Sequence, residues 1–528
     1  MSARTPRRTA PGRRATGRAR RSATGRNGQG AAALALRREL ISARAALRRV
    51  PTAAWVCAML AFLNAACWSF IMPPFQALDE PDHFAYVQEL AENGRLPSSG
   101  ESEFSPAEQT VLSDLHQSQV RFRPAGHPIF AVAQRERLEA DLDQEGSRSG
   151  PGGAGVATSE PPLYYALQVI PYGLGSGGSI LDQLALMRLL SALFGAITAL
   201  FVFLFVREAL PGVPWAWTVG GLGAALGPLF GFSTSTVNPD SLLFAISAAV
   251  FYCLARAFRR GLSQRLALTI GALCALGFLT KLNFLGLAPG VLLALVVLAR
   301  REASRYGRKI YSRRLAPALA IALAPGALYA LVNRLSNHHT LGLASSGIRG
   351  SSAGQHSLAG ELSYIWQFYL PRLPGMHSDF GPIFTTRQIW FRNIVGLYGW
   401  GDTVFPAWVY NVAILPAGAI AVLCICALVR HRRAVRERLV ESIVYALMSL
   451  GILALVGAAS YLAYPGGIAE FADARYLLPM LALWGAILAL AARGAGRRWG
   501  PAVGALLIVL VIAHDLFAQL QVLARYYG

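Results

Sequence analysis

Residues 52–72, TAAWVCAMLAFLNAACWSFIM, run straight into residues 73–90, PPFQALDEPDHFAYVQEL. The first stretch carries no Asp, Glu, Lys or Arg, and it is long enough to cross a bilayer core, which takes about 20 helical residues. The second packs Asp79, Glu80, Asp82 and His83 together where that helix would leave the membrane. An uncharged helix of this length belongs in lipid, and the acidic turn behind it belongs at the bilayer edge.

Comparable apolar runs recur at about 183–206, 214–232, 239–256, 265–280, 283–299, 315–333, 406–429, 439–462, 476–492 and 500–520. With the first they make eleven candidate spans, and the Gly and Pro inside them are tolerated in membrane helices. Composition agrees: of 528 residues 54% are hydrophobic and only 15% charged, with a positive mean hydropathy, a balance unsuited to soluble domains of this length. The expected fold class is all-α, a polytopic membrane protein of about eleven transmembrane helices over residues 51–528, behind a basic tail at 1–50. No repeat of fixed period and no separate soluble domain stand out.

The chain carries 49 Lys and Arg against 28 Asp and Glu, a formal charge of +21, and much of the excess lies in RTPRRTAPGRRATGRARRSATGR near the N-terminus. Such an arm can bind nucleic acid, but beside a membrane helix it is expected to stay cytoplasmic and touch anionic membrane lipids, with no nucleic acid partner. It is too long, and lacks a cleavage site after its apolar run, to read as a removed signal peptide. With the N-terminus inside, RAFRRGLSQR, RREASRYGRKIYSRR, RHRRAVRER and RGAGRRWG all become cytoplasmic, as the Lys/Arg rule for short loops requires. The expected location is the plasma membrane, multi-pass, with a cytoplasmic N-terminus, an extracytoplasmic C-terminus and two long outer loops, 73–182 and 334–405.

In the first outer loop, SRSGPGGAGVATS reads as a flexible connector. EPPLYYALQVIPYGLG is too short and proline-broken to span, so it is expected as an interfacial or re-entrant helix with Tyr164 and Tyr165 at headgroup level. The six cysteines fall inside apolar runs and are expected as small buried hydrophobes rather than disulfides or metal ligands.

The polar motifs collect on the outer face. Asp79 and Glu80 suit two roles: one carboxylate as general base towards a hydroxyl with the other orienting it or holding a cation, or an acidic helix N-cap ahead of Pro81. Spacing alone does not choose between them. His83 follows Asp79 at i+4, as in a shared metal site, but with no second His nearby it reads better as a solvated or hydrogen-bonded helix-face residue. Lys281, at the outer end of an apolar helix, suits the phosphate of a lipid carrier or snorkelling to headgroups. Arg475 and Arg188 suit phosphate better, because guanidinium binds it with two N–H groups and keeps its charge. Asp473 offers Arg475 a structural partner instead.

Asn238 and Asp240, in STSTVNPDS, open a membrane helix as a cap or as substrate contacts. Trp400, in GLYGWGDT with Asp402, suits a sugar ring or an interfacial anchor. His127, His338, His339 and His377 carry no usable spacing. No phosphate-binding glycine loop, nucleophile elbow or zinc motif is present in the sequence.

Taken in order, LDEPDHFAY, EPPLYYAL, NPDSLLF, TKLNF, YGWGDT and ARYLLP resemble the bacterial domain-of-unknown-function 2142 membrane proteins, from about residue 55 onward. An acidic pair in the first outer loop of a protein with eight or more spans also looks like the C-type (GT-C) glycosyltransferase superfamily, whose members use polyprenyl-phosphate sugars. Where the family pattern has Gln-Gly before Arg-Tyr, this chain has Asp473-Ala474. The resemblance implies transfer of a sugar from a polyprenyl-phosphate donor to an envelope glycan or protein, with inversion. Asp79, or failing that Glu80, would be the base, and Arg475, Lys281 and Arg188 would hold the donor phosphate. His83, Asn238, Asp240, Trp400, Asp402 and Tyr164 are the candidate substrate contacts. A divalent cation, Mg or Mn, at Asp79 and Glu80 is compatible with the superfamily, although no dedicated ligand set is visible.

Two rival readings remain open at this level. A transporter or flippase of lipid-linked glycans would place charges near the midplane and often shows two similar halves, which this sequence does not. A non-catalytic envelope assembly protein would use its outer loops as docking surfaces.

Overall fold

The computed structural model describes residues 48–97, 104–121, 123, 130–144, 155–335, 357–380, 387–462 and 473–528. Nearly all of the basic tail, most of the connector at 147–159, and His127, His338 and His339 lie outside these residues. The chain divides into residues 1–55, of which 48–55 are described, and residues 56–528, which hold the remaining helices and the polar cluster.

Among the described residues, nine helices are long and apolar enough to cross a membrane: Thr52–Ile71, Ile180–Ala209, Asp240–Arg260, Leu282–Tyr306, Tyr311–Leu335, Ala407–Arg430, Leu439–Leu462, Ala474–Gly494 and Gly496–Tyr527. The all-α architecture is as expected; of the eleven expected runs, two are shorter or broken helices and so fall outside the nine full-length ones among the described residues. The run at 265–280 is the 17-residue helix Gln264–Thr280, about 26 Å long at the α-helical rise. The run at 214–232 is two helices, Pro214–Ala225 and Pro228–Thr234. Pro228 has no N–H to donate and its ring crowds the preceding turn, so a helix starts at this residue rather than passing through it.

One end of the bundle is tied by arginines from the short basic loops. Arg438 donates to the carbonyl of Ala209, the last residue of its helix, and pairs with Glu441 at 2.7 Å. Arg430 caps the carbonyl of Gly494 in the same way. Arg259 and Arg260 share Glu208 at 2.8 Å each, and Arg314 meets Glu302 at 2.7 Å. Cations at helix C-termini satisfy orphan carbonyls and oppose the negative end of the helix dipole. Within the bundle, small residues let backbones touch: a Cβ on Gly220 would lie 2.6 Å from the carbonyl oxygen of Gly485, so Pro214–Ala225 and Leu481–Gly494 pack at a distance only glycine permits.

At the other end, the loop after the first span folds into short helices, among them Glu80–Asn93, Pro106–Asp114 and Leu163–Leu174. Tyr164 and Tyr165 are fully buried rather than set against headgroups. Tyr165 stacks on Tyr86 with ring centroids 3.7 Å apart, and the Tyr164 hydroxyl lies 2.8 Å from Ser191 Oγ and accepts from Gln168 at 2.7 Å. The apolar face that Leu163–Leu174 leaves exposed is the opposite one, with Ile170 and Leu174. Cys57 and Cys253 are buried as expected, Cys67 is exposed on the first span, and all six cysteines are free.

Candidate functional site

Asp79 occupies the N-cap position of Glu80–Asn93 but does not cap it. Its backbone is left-handed, with φ 63° and ψ 5°, and its side chain makes no bond to the helix N–H groups. A non-glycine residue pays about 1 kcal/mol to sit there, and such strain is kept where the surroundings demand a particular side-chain direction. That direction is towards Arg475, whose Nη2 lies 2.6 Å from Asp79 Oδ2.

Glu80 points the other way. Its two oxygens meet Arg188 Nε at 2.8 Å and Nη2 at 2.5 Å, and Oε1 also accepts the Val237 N–H at 3.0 Å. Arg188 spends its other N–H groups on the carbonyls of Ser69, Met72 and Pro73 at 2.8–3.0 Å. With two donors on Glu80 and one on each carbonyl, all five guanidinium donors are used, so Arg188, expected at a donor phosphate, has none left to offer one. Glu80, expected as the alternative base, is sealed from solvent. Together they fix the corner between the first span and the acidic turn. Asp79 and Glu80 diverge, and no group of three or more His, Cys, Asp or Glu among the described residues is placed to hold a metal ion.

Around Asp79 and Arg475 lies a compact charge cluster drawn from five segments. Arg475 Nε is 3.1 Å from Asp473 and 3.8 Å from Asp240. Lys281 Nζ is 2.9 Å from Asp240 and 3.7 Å from Glu160. Neither oxygen of Asp240 nor Arg475 Nε makes an aligned hydrogen bond, so these contacts are charge to charge. Tyr476 lies against both cations, its ring 5.5 Å from Lys281 Nζ and 5.2 Å from the Arg475 guanidinium carbon. The local sequence explains each placement. Asp240 opens its span, where Asn238 Oδ1 accepts its N–H at 2.9 Å. Lys281 sits in extended backbone between Gln264–Thr280 and the 3-10 turn Leu282–Leu287. Asp473 caps the turn carrying Arg475 by accepting its N–H at 2.9 Å.

The fields in this cluster differ from group to group. Burial pushes the Asp79 carboxyl up, but Arg475 and the other cations outweigh it and hold Asp79 below the usual carboxylate range. Burial raises Glu160 despite Lys281, and raises Asp473 despite Arg475. His83 is buried, with Nδ1 2.9 Å from the Tyr165 hydroxyl. Burial lowers its pKa to about 3, so its ring is neutral near pH 7.

The structure therefore unites Asp79, Arg475, Lys281 and Asp240 from the sequence-predicted set, with His83 beside them. It makes Asn238 a cap and Tyr164 a buried prop. Trp400 and Asp402 stand apart from the cluster. Gly399 and Gly401, at φ 66° and 73°, turn the two-residue strands Leu397–Tyr398 and Thr403–Val404 back on each other. Asp402 then accepts from Arg525 at 3.2 Å and from the Tyr526 hydroxyl at 3.2 Å. Trp400 is buried, donates to the Phe75 carbonyl at 3.0 Å, and has the Arg121 guanidinium 4.2 Å over its ring. It buttresses the loop leading to Asp79 and offers no open face to a sugar. Glu160 was missed as a site residue: the only signal was a carboxylate directly before the prolines of EPPLYYAL.

A family model described as "Predicted membrane protein (DUF2142)" matches residues 62–484. The chain belongs to this family. Every member of the charge cluster falls within the matched residues of this DUF2142 protein. Neither curated proteins nor solved structures yield a match.

Proposed function

We propose that this DUF2142 protein is an integral membrane glycosyltransferase of GT-C type, which moves a sugar from a polyprenyl-phosphate donor to an envelope glycan or protein acceptor. The observation that carries the reading is Asp79, a carboxylate held in a strained left-handed turn and directed at Arg475 instead of at its own helix. The Lys/Arg rule assigns the arginine-tied end to the cytoplasm, which puts Asp79 and its cations on the outer side.

In the proposed step, the acceptor oxygen attacks the anomeric carbon from the face opposite the phosphate. The bond from that carbon to the phosphate oxygen breaks, its electron pair stays on the phosphate, and the configuration inverts. Asp79 takes the acceptor proton, leaving a glycoside and polyprenyl phosphate. Arg475 and Lys281 balance the charge that grows on the leaving phosphate, the larger electrostatic task. Glu80 and Arg188 act on the chemistry only by holding the turn in place. The test is to present the protein, reconstituted in lipid, with a panel of labelled polyprenyl-phosphate sugars and candidate envelope acceptors. Acceptor-dependent consumption of one donor supports the reading, whereas movement of intact donor across the bilayer without consumption supports a transporter.

A further inference from the structure

We propose that the donor's phosphate displaces Asp79 from Arg475 and Glu160 from Lys281, so that the base is released only after the donor has bound. This rests on the reading of Arg475 and Lys281 as the phosphate's partners.

Both cations are already engaged by acids. Arg475 faces Asp79 at 2.6 Å and Asp473 at 3.1 Å, and Lys281 faces Asp240 at 2.9 Å and Glu160 at 3.7 Å. A phosphodiester anion brought to these cations meets four carboxylates of its own sign, so some of them must give way. The structure separates those that can move from those that cannot. Asp240 is almost wholly buried, and Asp473, although as exposed as Asp79, is tied down by its bond to the Arg475 N–H. Asp79 and Glu160 have side chains 23% and 20% exposed, the Asp79 side chain makes no bond to the helix it precedes, and Glu160 stands 3.7 Å from Lys281. Arg475 Nε, buried without an aligned hydrogen bond, gains one from a phosphate oxygen.

The exchange also resolves a chemical difficulty. While Arg475 holds it, Asp79 is a weak base, its carboxyl kept low against the upward push of burial. Once Arg475 turns to the phosphate, the largest opposition to that push is weakened and Asp79 becomes a better base. Donor before acceptor is then the productive order.

The test is equilibrium binding of undecaprenyl phosphate, with undecaprenol as the uncharged control, to the full chain in nanodiscs of zwitterionic lipid. Wild type is compared with Asp79→Asn, Glu160→Gln and Arg475→Ala, each checked by its melting temperature. Asn tolerates the left-handed backbone, so Asp79→Asn removes the competing charge without a new strain. The expected result is undecaprenyl phosphate binding about fivefold tighter in Asp79→Asn and in Glu160→Gln, weaker binding in Arg475→Ala, and unchanged undecaprenol binding. Tightening in Asp79→Asn alone keeps the release of the base and removes Glu160 from it. Phosphate-dependent binding by wild type that Asp79→Asn leaves equal or weakens overturns the exchange while sparing the phosphate site. If every form binds the phosphate and the alcohol alike, the phosphate site falls and the exchange with it.

Discussion

Glu80 and Arg188 lie 108 residues apart and meet through two parallel contacts of 2.8 and 2.5 Å, both side chains closed to solvent. Next door, Asp79 turns the opposite way and meets Arg475, 396 residues distant. Two adjacent carboxylates thus have separate tasks, one structural and one facing the cluster, and the left-handed backbone of Asp79 is what separates them.

Glu80→Gln strands the buried charge of Arg188. Loss of one partner of such a pair costs about 3–5 kcal/mol, so the expected outcome is a much lower melting temperature in detergent and poor recovery of folded protein. Glu80→Gln that melts like wild type yet fails in transfer would return Glu80 to the chemistry.

Trp400→Phe removes the 3.0 Å bond to the Phe75 carbonyl, worth about 1 kcal/mol. A modest fall in melting temperature with an unchanged acceptor KM is expected. A raised acceptor KM at constant stability would mean that the ring touches the sugar after all.

The pH dependence of stability has opposing parts. The folded pKa of His83 is depressed by burial from 6.5 to about 3, so its contribution is full above pH 6.5 and is lost as pH falls towards 3. Burial raises the Glu108 carboxyl from 4.5 to about 8, so its contribution is full below pH 4.5 and is lost as pH rises through 8. Thermal melts should therefore show that His83→Gln loses less stability than wild type on acidification from pH 6.5, and that Glu108→Gln loses less on moving from pH 4.5 to 8. Parallel curves would contradict the burial of these two groups as ionisable side chains.

Arg475→Lys keeps the charge but not the planar fork, and Arg475→Ala removes both. With a donor in hand, the expected order of kcat is wild type, Lys, Ala, the last lower by about a hundredfold or more, as for the loss of one donor to a developing oxyanion. Equal rates for the three would remove Arg475 from the phosphate.

Much of the fold was legible because hydrophobic length is a local property. The apolar runs predicted to be helical are helical apart from the break before Pro228, which is itself readable from the missing N–H of proline. The site was legible only in its parts. Lys281, Asp240 and Arg475 stand out because a charge near the end of an apolar run is costly, but cost does not reveal the partner. Arg188 looks from sequence like Arg475, and only the carbonyls of Ser69, Met72 and Pro73 show that it is fully used. Trp400 carries the composition of a sugar platform, yet the two glycines beside it fold it inward. Glu160 escaped notice because its partner Lys281 lies more than a hundred residues downstream, beyond the reach of any periodicity.

The most direct measurement is transfer from the consumed polyprenyl-phosphate sugar by Asp79→Asn in lipid, beside wild type and with matched melting temperatures. The account predicts that Asp79→Asn binds donor and stays folded but transfers no sugar at a measurable rate. Transfer by Asp79→Asn at the wild-type rate would contradict it, because the carboxylate on which the mechanism turns would then have no part in the reaction.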